Sequence, residues 1–228
     1  MAFFFTRLMR YALIFYAIFF GSNYLLKSKS YTFNAKEFKT LADKSKGEGA
    51  GAVVRFANDL RRSFGPYVAQ DLSWSGFQAG GLQLKAMVLH GSLTEFIVAF
   101  HAPFDTLGRT GLHFANASCS VLSGTVKRLP DATHSDTVES FAAGGNFRVG
   151  QFESSLVSVS AKSYVVCYGR GLIPVSSFWA LPQNLLGGDI LSTGKFLGQY
   201  ITNTYYSTVH SGTALFNHVK KTYLKTEL

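Results

Sequence analysis

The sequence predicts an α+β protein: an apolar N-terminal helix, a central antiparallel β unit and a helical C-terminal segment. Three observations predict it. Met1 to Leu26 contains no acidic residue, and Tyr11–Leu26 is an uncharged run of sixteen. Between Asp71 and Gly171 the chain breaks into short β-branched and aromatic runs separated by Gly and Ser, with no long helical period between them. From Leu197 onward, apolar residues return at spacings of three and four.

The uncharged run is worth about 24 Å of helix at ~1.5 Å per residue. Arg10 and Lys27 can snorkel at its ends. The expected element is one transmembrane helix over residues 4–26. A cleaved signal peptide fits less well, because Asn23-Tyr24-Leu25 is a poor cleavage site. A basic, acid-free mitochondrial targeting segment is the other reading. Asn34 is placed to cap a helix through Glu37, Phe38 and Leu41. Lys44–Gly51 reads as a loop. A second helix puts Val53, Val54, Ala57 and Leu60 on one face, ends on Arg61–Arg62 and stops at Gly65-Pro66.

Strands are expected at Leu82–His90, Leu93–Ala102, Cys119–Arg128, Phe147–Phe152, Leu156–Ala161 and Tyr164–Tyr168. They make a compact antiparallel sandwich or barrel. Gly169 and Gly171 end the last strand, and Pro174 suits the first turn of a helix. Pro182 kinks or ends that helix, and Gly187-Gly188 is a break. Leu197, Ile201, Tyr205, Val209, Gly212, Phe216, Val219 and Tyr223 then form one stripe of a long helix.

The 228 residues suffice for one sizeable core with appendages. The chain is 47% hydrophobic and 15% aromatic, with 21 Phe. That suits a membrane-associated protein with an apolar interior. The net charge is +9, but Lys and Arg are scattered rather than gathered beside stacking aromatics. A nucleic-acid partner is therefore not expected. The basic residues near both ends suit anionic lipid head groups; ordinary solvated surface charge explains them equally well. Two cysteines without a C-x-x-C are too few for a disulfide scaffold. On their own they read as small buried hydrophobes. They and the scattered His lack metal-ligand spacing, so no metal and no cofactor is expected.

Lys162–Pro174 holds the most informative motif. Y-G-R-G-L-I-P at Tyr168–Pro174 resembles the hallmark segment of the sigma-1 receptor and fungal sterol C-8 isomerase family. Supporting blocks follow the same order: Y-T-F-N-A-K-E-F at Tyr31–Phe38, N-D-L-R-R at Asn58–Arg62, L-H-G-S-L-T-E-F at Leu89–Phe96, L-S-G-T at Leu122–Thr125 and S-T-G-K-F-L at Ser192–Leu197. The resemblance implies a cupin-like β-barrel with a closed apolar pocket and two C-terminal membrane-associated helices. The chain then divides into a transmembrane anchor (1–30), a helical lead-in (31–70), the barrel (71–172) and the C-terminal amphipathic helices (173–228).

The departures from the family matter more than the matches. The family glutamate before Y-G-R-G falls on Cys167, and a second acid falls on Cys119. A third family acid falls on Asn116, and a supporting tyrosine on Phe96. In the family, two adjacent carboxyls protonate a ring alkene and remove a neighbouring proton, or hold a cationic amine. Two cysteines do neither: a buried thiol is a poor acid, and a neutral pair leaves an ammonium uncompensated. These four positions are read as a vestigial site with no catalytic residue. The resemblance places Cys119 and Cys167 face to face, either disulfide-bonded or as packed thiols.

Glu95 is the possible substitute acid; it matches a family glutamate that bonds backbone. A Cys119–His113 nucleophilic pair lacks an orienting third group. Tyr164, Val166, Trp179 and Tyr205 are pocket or interface candidates. Asn116-Ala117-Ser118 has the form of a glycosylation sequon, but the resemblance places it inside the barrel.

The expected function is that of a catalytically silent family member. It is either a barrel binding a sterol or other neutral lipid, or a structural accessory subunit of a larger membrane assembly, such as a mitochondrial respiratory complex. The alternatives are an active Δ8-to-Δ7 sterol isomerase of the endoplasmic reticulum and an amine-binding receptor. Expected partners are membrane lipids, other subunits of an assembly, or two further copies in a homotrimer. The family and the terminal K-T-E-L, one position from a retrieval signal, point to the endoplasmic reticulum. The mitochondrial inner membrane is the alternative.

Overall fold

A computed structural model describes residues 2–29, 31–132, 137–176 and 181–224. The chain forms two units, Met1–Thr32 and Phe33–Leu228. The first is a single helix, α1 (Ala2–Ser28). Ser22 and Asn23 donate to the Phe19 carbonyl at 2.9 and 3.0 Å, and the Tyr31 hydroxyl donates to Leu26 O at 2.7 Å. Large apolar side chains are exposed along it, among them Leu13, Phe15, Tyr16 and Ile18. The helix forms where expected, but the transmembrane expectation is not supported. Among the described residues no helix is long and apolar enough to cross a membrane. Arg7 and Arg10 interrupt its first half, and Gly21, Ser22, Asn23 and Lys27 dilute the apolar run before its end.

In the second unit Asn34 caps α2 (Ala35–Ser45), its side chain accepting from Lys36 N at 3.0 Å. The next helix, α3 (Ala50–Phe64), buries Ala52, Val53, Phe56, Ala57 and Leu60. Val54 is exposed and Phe56 takes the place expected for it, because the buried face runs 53, 56, 57, 60. Gly65, at φ +36°, turns the chain, and its N–H caps Arg61 O.

Among the described residues ten strands follow: β1 (Ser75–Ala79), β2 (Leu82–Gly91), β3 (Glu95–Ala102), β4 (Thr106–Arg109), β5 (Ala115–Ser123), β6 (Thr125–Pro130), β7 (Glu139–Ala142), β8 (Asn146–Val149), β9 (Ser155–Val159) and β10 (Ser163–Gly171). They form a six-stranded sheet, β1-β2-β3-β10-β5-β8, and a four-stranded sheet, β4-β9-β6-β7. All pairings are antiparallel. The expected strand Cys119–Arg128 is two strands. Gly124, at φ +83°, breaks it and sends its halves to different sheets.

Side-chain alternation gives the six-stranded sheet two apolar faces. One packs against α2 and α3, where Phe38, Phe56 and Leu60 meet Leu89, Ile97, Leu122, Val166 and Tyr168. The other meets the four-stranded sheet, where Val121, Val165 and Cys167 face Val126, Val157 and Val159. The C-terminal segment forms α4 (Ile173–Ser176), α5 (Leu181–Leu186) and α6 (Ile190–Leu224). Pro182 is the second residue of α5, where its missing N–H costs nothing. Polar bonds fix α6 beside β1 and β2: Lys195 to Trp74 O at 3.0 Å, Gln199 to Ser73 O at 3.1 Å and Tyr200 to Ser92 O at 2.5 Å.

Candidate functional site

The antiparallel register of β5 and β10 sets Cys167 directly opposite Cys119. Their Cα atoms are 4.1 Å apart and the sulfurs are bonded. Of the two states open to the pair, the structure has the disulfide, and no cysteine is free. The bridge lies in the wall of a cavity of about 160 Å³ between the two sheets, which Leu82, Phe96, Phe147, Val157 and Val165 also line. A second pocket of about 530 Å³ lies between the mouth of the β unit and α6, lined by Leu93, Val98, Phe196, Leu197, Ile201 and Tyr205. The two share Phe77, Phe96, Phe100, His113 and Ser176, so they adjoin.

Among the described residues no Asp, Glu, Lys or Arg lines either space. The polar groups at the inner cavity are already engaged. Thr110 Oγ1 accepts from Ser155 N at 3.0 Å. Ser176 Oγ accepts from Phe114 N at 3.1 Å and donates to Leu172 O at 3.4 Å. Burial pushes the His113 pKa below its ordinary 6.5, against a backbone hydrogen bond at Thr110 that favours the cation. The ring is therefore neutral at pH 7. Tyr200 in the outer pocket is held well above the usual phenol range by burial, opposed by its bond to Ser92. Such a wall offers shape and apolar surface, and neither a titrating acid nor a counter-ion.

The structure separates the site residues expected from the sequence. Phe96 joins the two cysteines in the inner cavity. It is paired with Gly169, and a Cβ at Gly169 would collide with its ring. Asn116 does not join them. It is three positions from Cys119, an odd step that turns it to the opposite face of β5. There it is exposed, and its Oδ1 accepts from Gln151 N at 2.9 Å.

Glu95 is also off the cavity. It is paired with Arg170, on the face that Tyr168 shares. Only 1% exposed, it accepts from Phe33 N at 3.2 Å and from the Tyr168 hydroxyl at 2.8 Å. It closes the backbone where α2 begins and reaches nothing in either pocket.

Tyr164 and Val166 alternate with Cys167 and so point to the α2–α3 side. Tyr164 stacks on the His101 ring at 4.2 Å between centroids, and Val166 is fully buried. Neither lines the inner cavity or the outer pocket. Tyr205 does line the outer one. Trp179 and the terminal K-T-E-L lie outside the described residues. His113 does share the cavity wall with Cys119, but a sulfur held in a disulfide is no nucleophile. Phe77, Phe100, Thr110 and Ser176 were not legible as site residues. The spacing Phe96–Phe100 keeps both rings on one strand face and was the available signal.

The model of the family described as ERG2 and Sigma1 receptor like protein matches residues 9–211. Sigma non-opioid intracellular receptor 1 of Xenopus tropicalis is 33% identical over 79% of this chain and 80% of its own. C-8 sterol isomerase of Neurospora crassa is 25% identical over 71% of this chain and 66% of its own. Among solved structures, an RmlC-like cupin from Shewanella frigidimarina aligns with 45% of this chain and 86% of its own, at a TM-score of 0.38 and 14% identity.

Proposed function

The chain belongs to the ERG2 and Sigma1 receptor like protein family, and from that premise we propose that it is a catalytically silent member whose cavity holds a sterol or similar neutral lipid. The observation that supports this most is the Cys119–Cys167 disulfide standing where the resemblance puts the acid pair. Moving a ring double bond requires a proton donor beside the alkene and a base beside the neighbouring carbon. A cystine has no proton to give and no charge to stabilise a carbocation. The same absence of a carboxylate tells against a cationic amine, which would lose its hydration with nothing to pair it. A neutral apolar molecule suffers neither penalty.

The outer pocket, at about 530 Å³, falls within the roughly 300–1,000 Å³ typical of small-molecule sites. The inner cavity, at about 160 Å³, is too small for a whole ligand and suits a tail that passes Phe96 and Phe100. Exposed Phe15, Tyr16 and Ile18 on α1, and Ile201, Tyr205, Tyr206 and Phe216 on α6, support a membrane or a larger assembly as the surroundings. Accessory membership of a membrane complex and a homotrimer are the assembly states consistent with that surface. A disulfide in the wall favours an oxidising compartment, such as the lumen of the endoplasmic reticulum, over a reducing one.

The test is binding and turnover together. Full-length protein in detergent should bind a tritiated neutral sterol saturably and fail to bind a tritiated cationic amine. Cells lacking sterol C-8 isomerase should not be rescued by it. Growth rescue would overturn the silent reading, and absence of saturable sterol or lipid binding would overturn the ligand.

A further inference from the structure

The chain's single N-x-S/T sequon, Asn116-Ala117-Ser118, lies at the start of β5, where Asn116 is exposed, and we propose that Asn116 is N-glycosylated. The alternation of β5 that turns Ala117 and Cys119 into the cavity turns Asn116 and Ser118 out of it. Asn116 is exposed. Its Oδ1 accepts from Gln151 N at 2.9 Å, a bond that does not use Nδ2. A sugar on Nδ2 keeps the Gln151 bond, beside the turn Gly150–Glu153, in which Phe152 and Glu153 are exposed. That turn is closed by Glu153 accepting from Gly150 N at 2.7 Å. The middle residue is Ala, so nothing in the triplet blocks transfer.

The second observation is the compartment. A protein disulfide persists in the oxidising lumen of the secretory pathway, and that is where N-linked transfer occurs. Cys119 is three residues beyond Asn116 in the sequence, and its partner is 48 residues beyond Cys119. The strands that clamp β5, β8 and β10, also lie downstream. When the sequon enters the lumen it is therefore unpaired chain, free to take the bent conformation that transfer needs. The reaction joins Asn116 Nδ2 to the anomeric carbon of a lipid-pyrophosphate-linked oligosaccharide. The bond from that carbon to the pyrophosphate oxygen breaks, the lipid pyrophosphate leaves with the electron pair, and Nδ2 loses one proton. The attached sugar stands beside β8, the edge strand of the six-stranded sheet, where a bulky hydrophilic group discourages edge-to-edge pairing.

The proposal is independent of the cavity's ligand. The full chain is expressed in eukaryotic cells beside a glycoprotein control and treated with peptide N-glycosidase. The expected result is one downward mobility step on treatment, with Asn116 converted to Asp in the released peptide. The step should vanish in Asn116→Gln and Ser118→Ala and persist in Ser118→Thr, which separates lost modification from misfolding. Untreated and treated protein running together while the control shifts, or a shift that survives Asn116→Gln, would overturn it.

Discussion

Replacing Cys119 and Cys167 together by alanine removes the one covalent link between β5 and β10 and tests what the bridge contributes. The two residues are 48 apart in sequence. In the chain-entropy model, opening a loop of that length returns about 4 kcal/mol of freedom to the unfolded chain. The strands remain neighbours through their backbone ladder, so the native fold is expected to survive. For a unit of this size, about 4 kcal/mol corresponds to a fall in Tm of about 8–16 °C. The assay is a thermal melt of detergent-solubilised protein with and without a strong thiol reductant. Wild type should lose stability on reduction, and the double variant should match reduced wild type in both conditions. Coincident melting of wild type and variant without reductant, or peptide mapping that finds both thiols free, would refute the reasoning. A single Cys119→Ala variant should be no more stable than the double.

Three further outcomes follow from the geometry. The paired substitution Cys119→Asp with Cys167→Glu puts two carboxyls in the apolar wall and should raise affinity for a cationic amine at least tenfold, read by radioligand competition; no gain would show that the two positions do not face the ligand. His113 has a folded pKa below 6.5, so the unfolded chain takes up the proton first. Stability should therefore be fully present above that value and fall as pH drops below it, and His113→Gln should flatten the dependence in melts between about pH 7.5 and 5. Gly169→Ala drives a Cβ into the Phe96 ring and should cost about 1–3 kcal/mol, recovered in part by Gly169→Ala with Phe96→Leu in urea titrations.

Much of the β unit was legible because its long strands are β-branched, alternating and fenced by glycine. β1, β4 and β7 were missed for the opposite reason. They span four or five residues, Ser75–Ala79, Thr106–Arg109 and Glu139–Ala142, and mix Gly, Ser and charged residues. They are strands because a neighbour's ladder supplies the hydrogen bonds, which no local propensity reports. The facing of Cys119 and Cys167 was legible only through the resemblance, since register between strands so far apart in sequence is a tertiary fact. Strand parity, by contrast, was available all along. Asn116 is an odd number of residues from Cys119, and Tyr164 and Val166 from Cys167. Period-two alternation therefore puts all three on the faces away from the bridge.

In the proposed reading, exchanging two acids for a cystine has linked consequences for chemistry and for stability. An acid pair in an apolar wall is costly, because carboxyls lose hydration and at least one must stay protonated beside the other. A site of that kind is held in place by the rest of the fold. With the cystine the penalty disappears, and the unfolded chain also loses freedom. Leu82, Phe147, Val157 and Val165 line the same cavity and set apolar surface around the bridge. Activity in such a site is maintained only under selection for the reaction, since stability favours its loss. A lineage released from that selection would keep the barrel, its apolar hollow and the outer pocket under α6, and would exchange the dyad for the cross-link that Cys119 and Cys167 form.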